Sequence, residues 1–227
     1  NWEQIRTTIC YNNQNVKIAG AHSGVSVGPD GATHQAIEDM AITRVIPNMV
    51  VLAPCDSIEA KKATIAAARY KGPVYIRFTR EKTPVMTTES TPFEIGKAEI
   101  YREGKDVTLI GCGPLVYEAL KAAEELAKEG ISAEVINNHT IKPMDKETIL
   151  KSVKKTGCAV TIEEHQAAGG MGSAISEILS QNYPVPMEII GVQDRFGESG
   201  EPAELLEKFG LMAKDIIEAV KKVLERK

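Results

Sequence analysis

Short apolar runs alternate with amphipathic stretches along most of this chain, and one break rich in Thr and Pro divides the alternation in two. Runs of about five apolar residues bounded by turn signals read as buried strands, and longer stretches with apolar positions three and four apart read as helices. In the first half the spacing predicts helix over 2–11 (Trp2, Ile5, Ile9 and Cys10 on one face), 35–44 and 57–70, with strands over 16–21, 49–53 and 74–78. Residues 79–95 carry Thr83-Pro84 and Thr91-Pro92 and read as a linker. The second half predicts strands over 106–111, 132–136, 159–163 and 187–191, and helices over 115–129, 145–155, 171–181, 202–209 and 212–224. Strands separated by helices imply a mostly parallel sheet covered on both faces. The expected fold is therefore α/β, as two three-layer α/β/α domains, residues 1–85 and 86–227.

The chain has 227 residues and a formal net charge of −4. No basic stripe is present to replace phosphate counterions, so nucleic acid is not an expected partner. Lys221, Lys222, Arg226 and Lys227 share a helix end with Glu218 and Glu225 and read as a solvated face. The four cysteines, Cys10, Cys55, Cys112 and Cys158, form no C-x-x-C pair and sit among apolar residues. They read as buried thiols in a reducing compartment, hence a cytoplasmic protein. No run approaches a membrane span and no signal peptide is visible, so no membrane partner is expected. The chain opens at Asn1, without Met and already in a helical pattern, as though an upstream segment were missing.

Chemistry concentrates in residues 21–35, which hold two of the four histidines (His22, His34), Asp30, Thr33 and three glycines. The segment lies between a strand and a helix, where open α/β sheets place ligands. Its spacing matches no compact metal motif, so no metal ligands are assigned. Ser23 and Ser26 lack a nucleophile-elbow pattern. Asp30-Gly31 alone would make an ordinary turn. Taken together, these residues read as a polar wall that orients a hydroxylated substrate, with a histidine able to move protons near neutral pH. Arg80 follows a strand at the same kind of edge. It suits bidentate capture of phosphate or, equally, an ion pair with a residue such as Glu81. Gly111-Cys112-Gly113 reads as a tight strand-to-helix turn. Gly169 to Gly172 reads as a packing turn more than an anion site, since no basic residue is near in sequence. His165 reads as a hydrogen-bonded structural histidine, and nothing near His139 assigns it a role.

Several ordered motifs carry a family resemblance. Ala21-His22 through Gly28-Pro29-Asp30-Gly31-Ala32-Thr33-His34-Gln35 resembles the transketolase pattern H-D-S-x-G-x-G-E-D-G-P-T-H-Q. Arg44 to Met49 is similar to R-x-x-P-N-M, Ala53 to Asp56 to R-P-C-D, Thr79-Arg80 to S-R-Q, and Asp194 to Ser199 to D-R-F-G-x-S. The likeness covers nearly the whole chain, and 160–172 leans toward the deoxyxylulose-phosphate synthases. Ser23, Gly24, Pro29 and Ala32 depart from the pattern. The resemblance implies a pyrimidine-binding domain followed by a transketolase C-terminal domain. It also implies thiamine diphosphate-dependent transfer of a two-carbon ketol unit between sugar phosphates, as in the pentose phosphate pathway. It would place His22 and Arg80 on the substrate phosphate, Asp30 on a donor hydroxyl, and His34 beside the sugar and the cofactor aminopyrimidine, where it serves catalysis. No diphosphate-clamping G-D-G with a downstream N-N appears. The resemblance therefore implies that thiamine diphosphate and Mg²⁺ are held mainly by an N-terminal partner subunit, in a homodimer or heterotetramer active only when assembled. Two other readings are a deoxyxylulose-phosphate synthase fragment and a non-catalytic β-type subunit related to 2-oxo acid dehydrogenases.

Overall fold

A computed structural model describes residues 1–227. The chain begins with α1 (Trp2–Gln4), which runs on into a π-helical segment, Ile5–Tyr11. β1 (Lys17–Gly20), α2 (Asp39–Arg44), β2 (Val50–Leu52), α3 (Ser57–Arg69) and β3 (Val74–Arg77) complete the first half. The second half holds β4 (Glu99–Arg102), β5 (Val107–Gly111), α4 (Val116–Lys128), β6 (Ala133–Asn137), β7 (Thr140–Lys142), α5 (Lys146–Thr156), β8 (Ala159–Gln166), α6 (Met171–Asn182), β9 (Met187–Val192), α7 (Pro202–Lys208) and α8 (Ala213–Leu224).

Two sheets result, ordered β1-β3-β2-β7 and β4-β6-β5-β8-β9. All pairings are parallel except those of the edge strands β7 and β4. Mostly parallel strands joined by helices are what the alternation predicts. Neither β4 nor β7 is predicted, because each is a short edge strand without a long apolar run. β7 follows the linker in sequence yet pairs with β2 of the first half.

The helices form where their apolar positions can face a sheet. On α4, Ala119, Ala122, Ala123 and Leu126 repeat at helical spacing and are all fully buried. α3 is capped by Asp56, whose Oδ1 accepts the Glu59 N–H at 2.8 Å. α5 is capped by Asp145 and stops at Gly157, which adopts φ 73° as a left-handed terminator. The helix predicted over 35–44 begins only at Asp39. Gln35 and Ala36 are held instead in an extended segment. Ala36 N–H donates to the His22 carbonyl at 3.1 Å, and Gly24 N–H donates to the Ala36 carbonyl at 2.8 Å. Those backbone groups are committed across the loop and are unavailable to a helix.

One buried cluster joins Met40, Val51 and Tyr75 from the first half to Ile110, Ile136 and Met171 from the second. Each large side chain fully buried there contributes on the order of 1.5–3 kcal/mol. The two sheets therefore share a core, and this fixes the edge of one relative to the other.

Candidate functional site

β1 and β3 are parallel neighbours in register, with Gly20 opposite Arg77, so the segments that follow them leave the sheet at the same edge. The first of these segments carries His22, Asp30 and His34; the second carries Arg80. The fold brings Asp30 and Arg80 into contact. Arg80 Nη1 lies 3.6 Å from Asp30 Oδ1 and donates to the Val27 carbonyl at 2.8 Å. Glu81, the other ion-pair partner considered for Arg80, is not the one used. Both side chains of the Asp30–Arg80 pair remain more than a third exposed. Such a pair is worth no more than about 1 kcal/mol, so it can open for a ligand at little cost.

His22 sits at φ 60°, a left-handed conformation that costs a residue with a Cβ about 1–2 kcal/mol. The cost is borne because its carbonyl accepts the Ala36 N–H and the next residue, Ser23, donates to the Phe78 carbonyl at 3.1 Å. His34 is exposed, and its Nδ1 lies 3.0 Å from Thr33 Oγ1. With Nδ1 engaged by Thr33, Nε2 is the nitrogen left for a ligand. His34 lies two residues before Ala36, so the same backbone closure that holds His22 also ties down the His34 end of the loop. Gln35 reinforces it: Nε2 donates to Val25 O at 3.0 Å and to Glu198 O at 2.9 Å. The Asp194–Ser199 motif stretch thus packs against this loop. At the same edge a cleft of about 360 Å³ opens between Pro54–Ser57 after β2 and Thr79, Glu81, Lys82 and Thr83 after β3; His22, Asp30, His34 and Arg80 do not line it.

Beneath the loop lies a buried polar layer that sequence reading missed. Arg77 donates through Nε to Asp39 and through Nη2 to the carbonyls of Ala36 (3.1 Å) and Glu164 (2.7 Å). The visible signal was a charged residue at the end of an otherwise apolar strand. His165 is fully buried, its Nδ1 2.8 Å from Gln166 O and its Nε2 accepting the Ala41 N–H at 3.3 Å. That is the structural role read from its sequence. Burial, helped by Arg77, lowers its pKa to about 4, so the ring is neutral at pH 7. The Gly169–Gly172 turn does have N–H groups aimed at an anion, and the anion is internal. Met171 and Gly172 donate to Glu163 at 2.7 and 2.8 Å. Burial raises the Glu163 pKa to about 7 against the pull of those donors. His139 is fully buried and stacks on Phe93 with centroids 4.3 Å apart, away from the loop's exposed residues.

Two α/β units with polar loops at a carboxyl edge have the architecture in which α/β enzymes place small-molecule sites. The transketolase pyrimidine-binding domain matches residues 1–86 and the transketolase C-terminal domain matches residues 96–216. The chain belongs to the transketolase family. It is 46% identical over 225 residues to the 6-deoxy-6-sulfo-D-fructose transketolase subunit SqwH of Clostridium sp. (strain MSTE9), covering 99% of this chain and 70% of that one. It is also 46% identical over 228 residues to the putative transketolase C-terminal section of Methanocaldococcus jannaschii, covering 97% of this chain and 71% of that one. Among solved structures it resembles a split gene transketolase described as an inactive beta4 tetramer. That match has a TM-score of 0.93 at 45% identity, over 100% of this chain and 72% of the other. The chain is thus a split transketolase-type C-terminal subunit, and its relatives support a transferase kind of activity.

Proposed function

We propose that this chain is the substrate-wall subunit of a two-subunit transketolase, with residues 1–85 as the pyrimidine-binding domain and 86–227 as the C-terminal domain. The observation that carries the reading is the meeting of Arg80 with Asp30 at the edge where the loop bearing His22 and His34 also emerges. A guanidinium in a half-exposed, weakly paired position suits the terminal anion of a sugar. Asp30 accepts from a hydroxyl of the same molecule in this reading. His34, with Nδ1 held by Thr33, presents Nε2 as the group that moves a proton.

The exposed face of His34 fits one side of a thiamine diphosphate whose diphosphate and Mg²⁺ are held mainly by an N-terminal partner subunit. That cofactor supplies the carbanion chemistry of ketol transfer. This chain binds the sugar, orients it and, once covered by the partner, excludes water. The name of the Clostridium relative includes a sulfonated sugar. The anion at Arg80 is accordingly either phosphate or sulfonate, since both offer paired oxygens to a guanidinium.

The test mixes this chain with its N-terminal partner, thiamine diphosphate and Mg²⁺. Ketol transfer from a ketose phosphate or a sulfonated ketose to an aldose acceptor is expected, with none from this chain alone. A product that requires pyruvate would assign the chain to the deoxyxylulose-phosphate synthases. Unaltered assembly without transfer would make it a non-catalytic subunit.

A further inference from the structure

Glu163 and Glu164 are consecutive on β8, so their side chains leave the strand on opposite sides. Glu163 stays in its own half and fills the first turn of α6. Glu164 crosses into the other half. Its Oε1 accepts the Ser26 N–H at 2.5 Å, and the Ser26 hydroxyl and the Val25 amide also face the carboxylate. Gly24, at φ 84°, lies directly against it, and a Cβ there would fall 2.2 Å from Oε1. Arg77 clamps the base of the arrangement by donating to the carbonyls of both Glu164 and Ala36. Glu164 and Ser26 are both buried, at 2% and 7% exposure. No water-facing function of Glu164 is available, and its donors all belong to the segment that begins two residues after His22 and ends at Asp30.

We propose that Glu164 is a positioning residue, a carboxylate supplied by the C-terminal half that holds residues 24–26 so that the loop presents His22 and Asp30 to the anionic sugar. The inference rests on the reading of that loop as the substrate wall. Two physical points support it. Bonds to a carboxylate in a dry site are roughly twice as strong as neutral ones. The loop's glycines also leave it many conformations, so a fixed external acceptor is needed to select one. Desolvation raises the Glu164 pKa, opposed by the Ser26 donors and by Arg77.

Glu164→Gln, Glu163→Gln and the wild-type chain, each full length, separate this role from plain stability. Amide exchange reads the loop without cofactor or partner. Glu164→Gln is expected to speed exchange at Val25 and Ser26 by about tenfold or more relative to β5 amides. Glu163→Gln is expected to lower the melting temperature while leaving the exchange of Val25 and Ser26 relative to β5 unchanged. Equal loop exchange in Glu164→Gln and wild type would overturn the proposal. Should Glu164→Gln fail to fold, Ser26→Ala removes one donor only and is expected to raise exchange at residues 24–26 about threefold; no rise would overturn it equally. In the assembled enzyme, Glu164→Gln is expected to raise KM for the anionic sugar about tenfold with little change in kcat. A loosened loop with unchanged KM would overturn the link to binding. A wild-type assembly without ketol transfer would instead defeat the functional reading, and the exchange measurement would still decide what Glu164 holds.

Discussion

Arg77 Nε donates to both carboxylate oxygens of Asp39, at 3.1 and 2.9 Å, and Tyr75 Oη donates to the same carboxylate at 2.8 Å. The pair is almost fully buried and lies directly under the loop that carries the candidate site. Removing one member of a buried pair leaves the other as an uncompensated charge, which costs about 3–5 kcal/mol. Asp39→Asn is therefore expected to lose about that much stability in urea at pH 7. Burial pushes the Asp39 carboxyl up, but Arg77, His165 and Tyr75 bring it below its ordinary value. A carboxyl depressed in the folded state stabilises above its unfolded pKa of about 3.9 and loses that contribution as pH falls through the folded value. The gap between wild type and Asp39→Asn is expected to shrink below about pH 4, and urea melts at pH 7 and pH 3 check it.

Arg80 is exposed and its pairing with Asp30 is loose, so its value lies in ligand binding. Arg80→Ala is expected to raise KM for a phosphorylated or sulfonated sugar on the order of 10- to 100-fold, the loss of one charge-assisted contact of about 1.5–3 kcal/mol. An uncharged sugar should be affected little, and thermal unfolding should shift by less than about 1 kcal/mol. Steady-state kinetics on the assembled enzyme with charged and uncharged donors measure the difference. Equal losses on both would make Arg80 a structural residue.

His139 makes stability depend on pH. Burial lowers its pKa to about 4, so the folded protein keeps the ring neutral while the unfolded chain protonates it near pH 6.5. Between those values the unfolded state binds more protons, so this group's contribution to stability rises with pH across that window and is lost on acidification. His139→Gln abolishes the term, though it also loses the stacking on Phe93. The variant is expected to be less stable at pH 7, yet to lose about 2 kcal/mol less than wild type between pH 7 and pH 5. Denaturant titrations at the two values test the sign as well as the size.

Glu59 and Asn137 tie α3 of the first half to β6 of the second. Glu59 Oε1 accepts from Asn137 Nδ2 at 2.7 Å, while Oε2 accepts the Cys55 N–H at 2.6 Å. A double-mutant cycle of Glu59→Gln and Asn137→Ala is expected to give a coupling energy of about 1–2 kcal/mol. Additive losses would show that this bond contributes nothing to holding the two halves together.

The candidate loop was legible because His22, Asp30 and His34 lie within one short segment, and its glycines and polar side chains stand out locally. Its conformation was not. The helix expected from Gln35 does not start there, because Ala36 spends its backbone groups on His22 and Gly24. Those partners lie upstream in the same loop, and pairing across a loop leaves neither a helical nor a strand repeat for a window to read. Arg77 is a second case. A charged residue closing the apolar run Val74 to Arg77 is visible locally, but its partner Asp39 lies 38 residues away.

Local periodicity by itself determined that this chain is α/β, with helices alternating with mostly parallel strands, because strand and helix burial each impose a repeat that short windows reveal. Local composition likewise determined which loop holds the polar chemistry. Tertiary structure alone decided that β7 completes a sheet begun before the linker, that Arg80 meets Asp30, and that Glu164 reaches back 138 residues to Ser26. These are pairings between distant segments, selected by how two sheets share one core and by the demand that every buried charge find a partner. Neither condition leaves a periodic trace in the order of the residues.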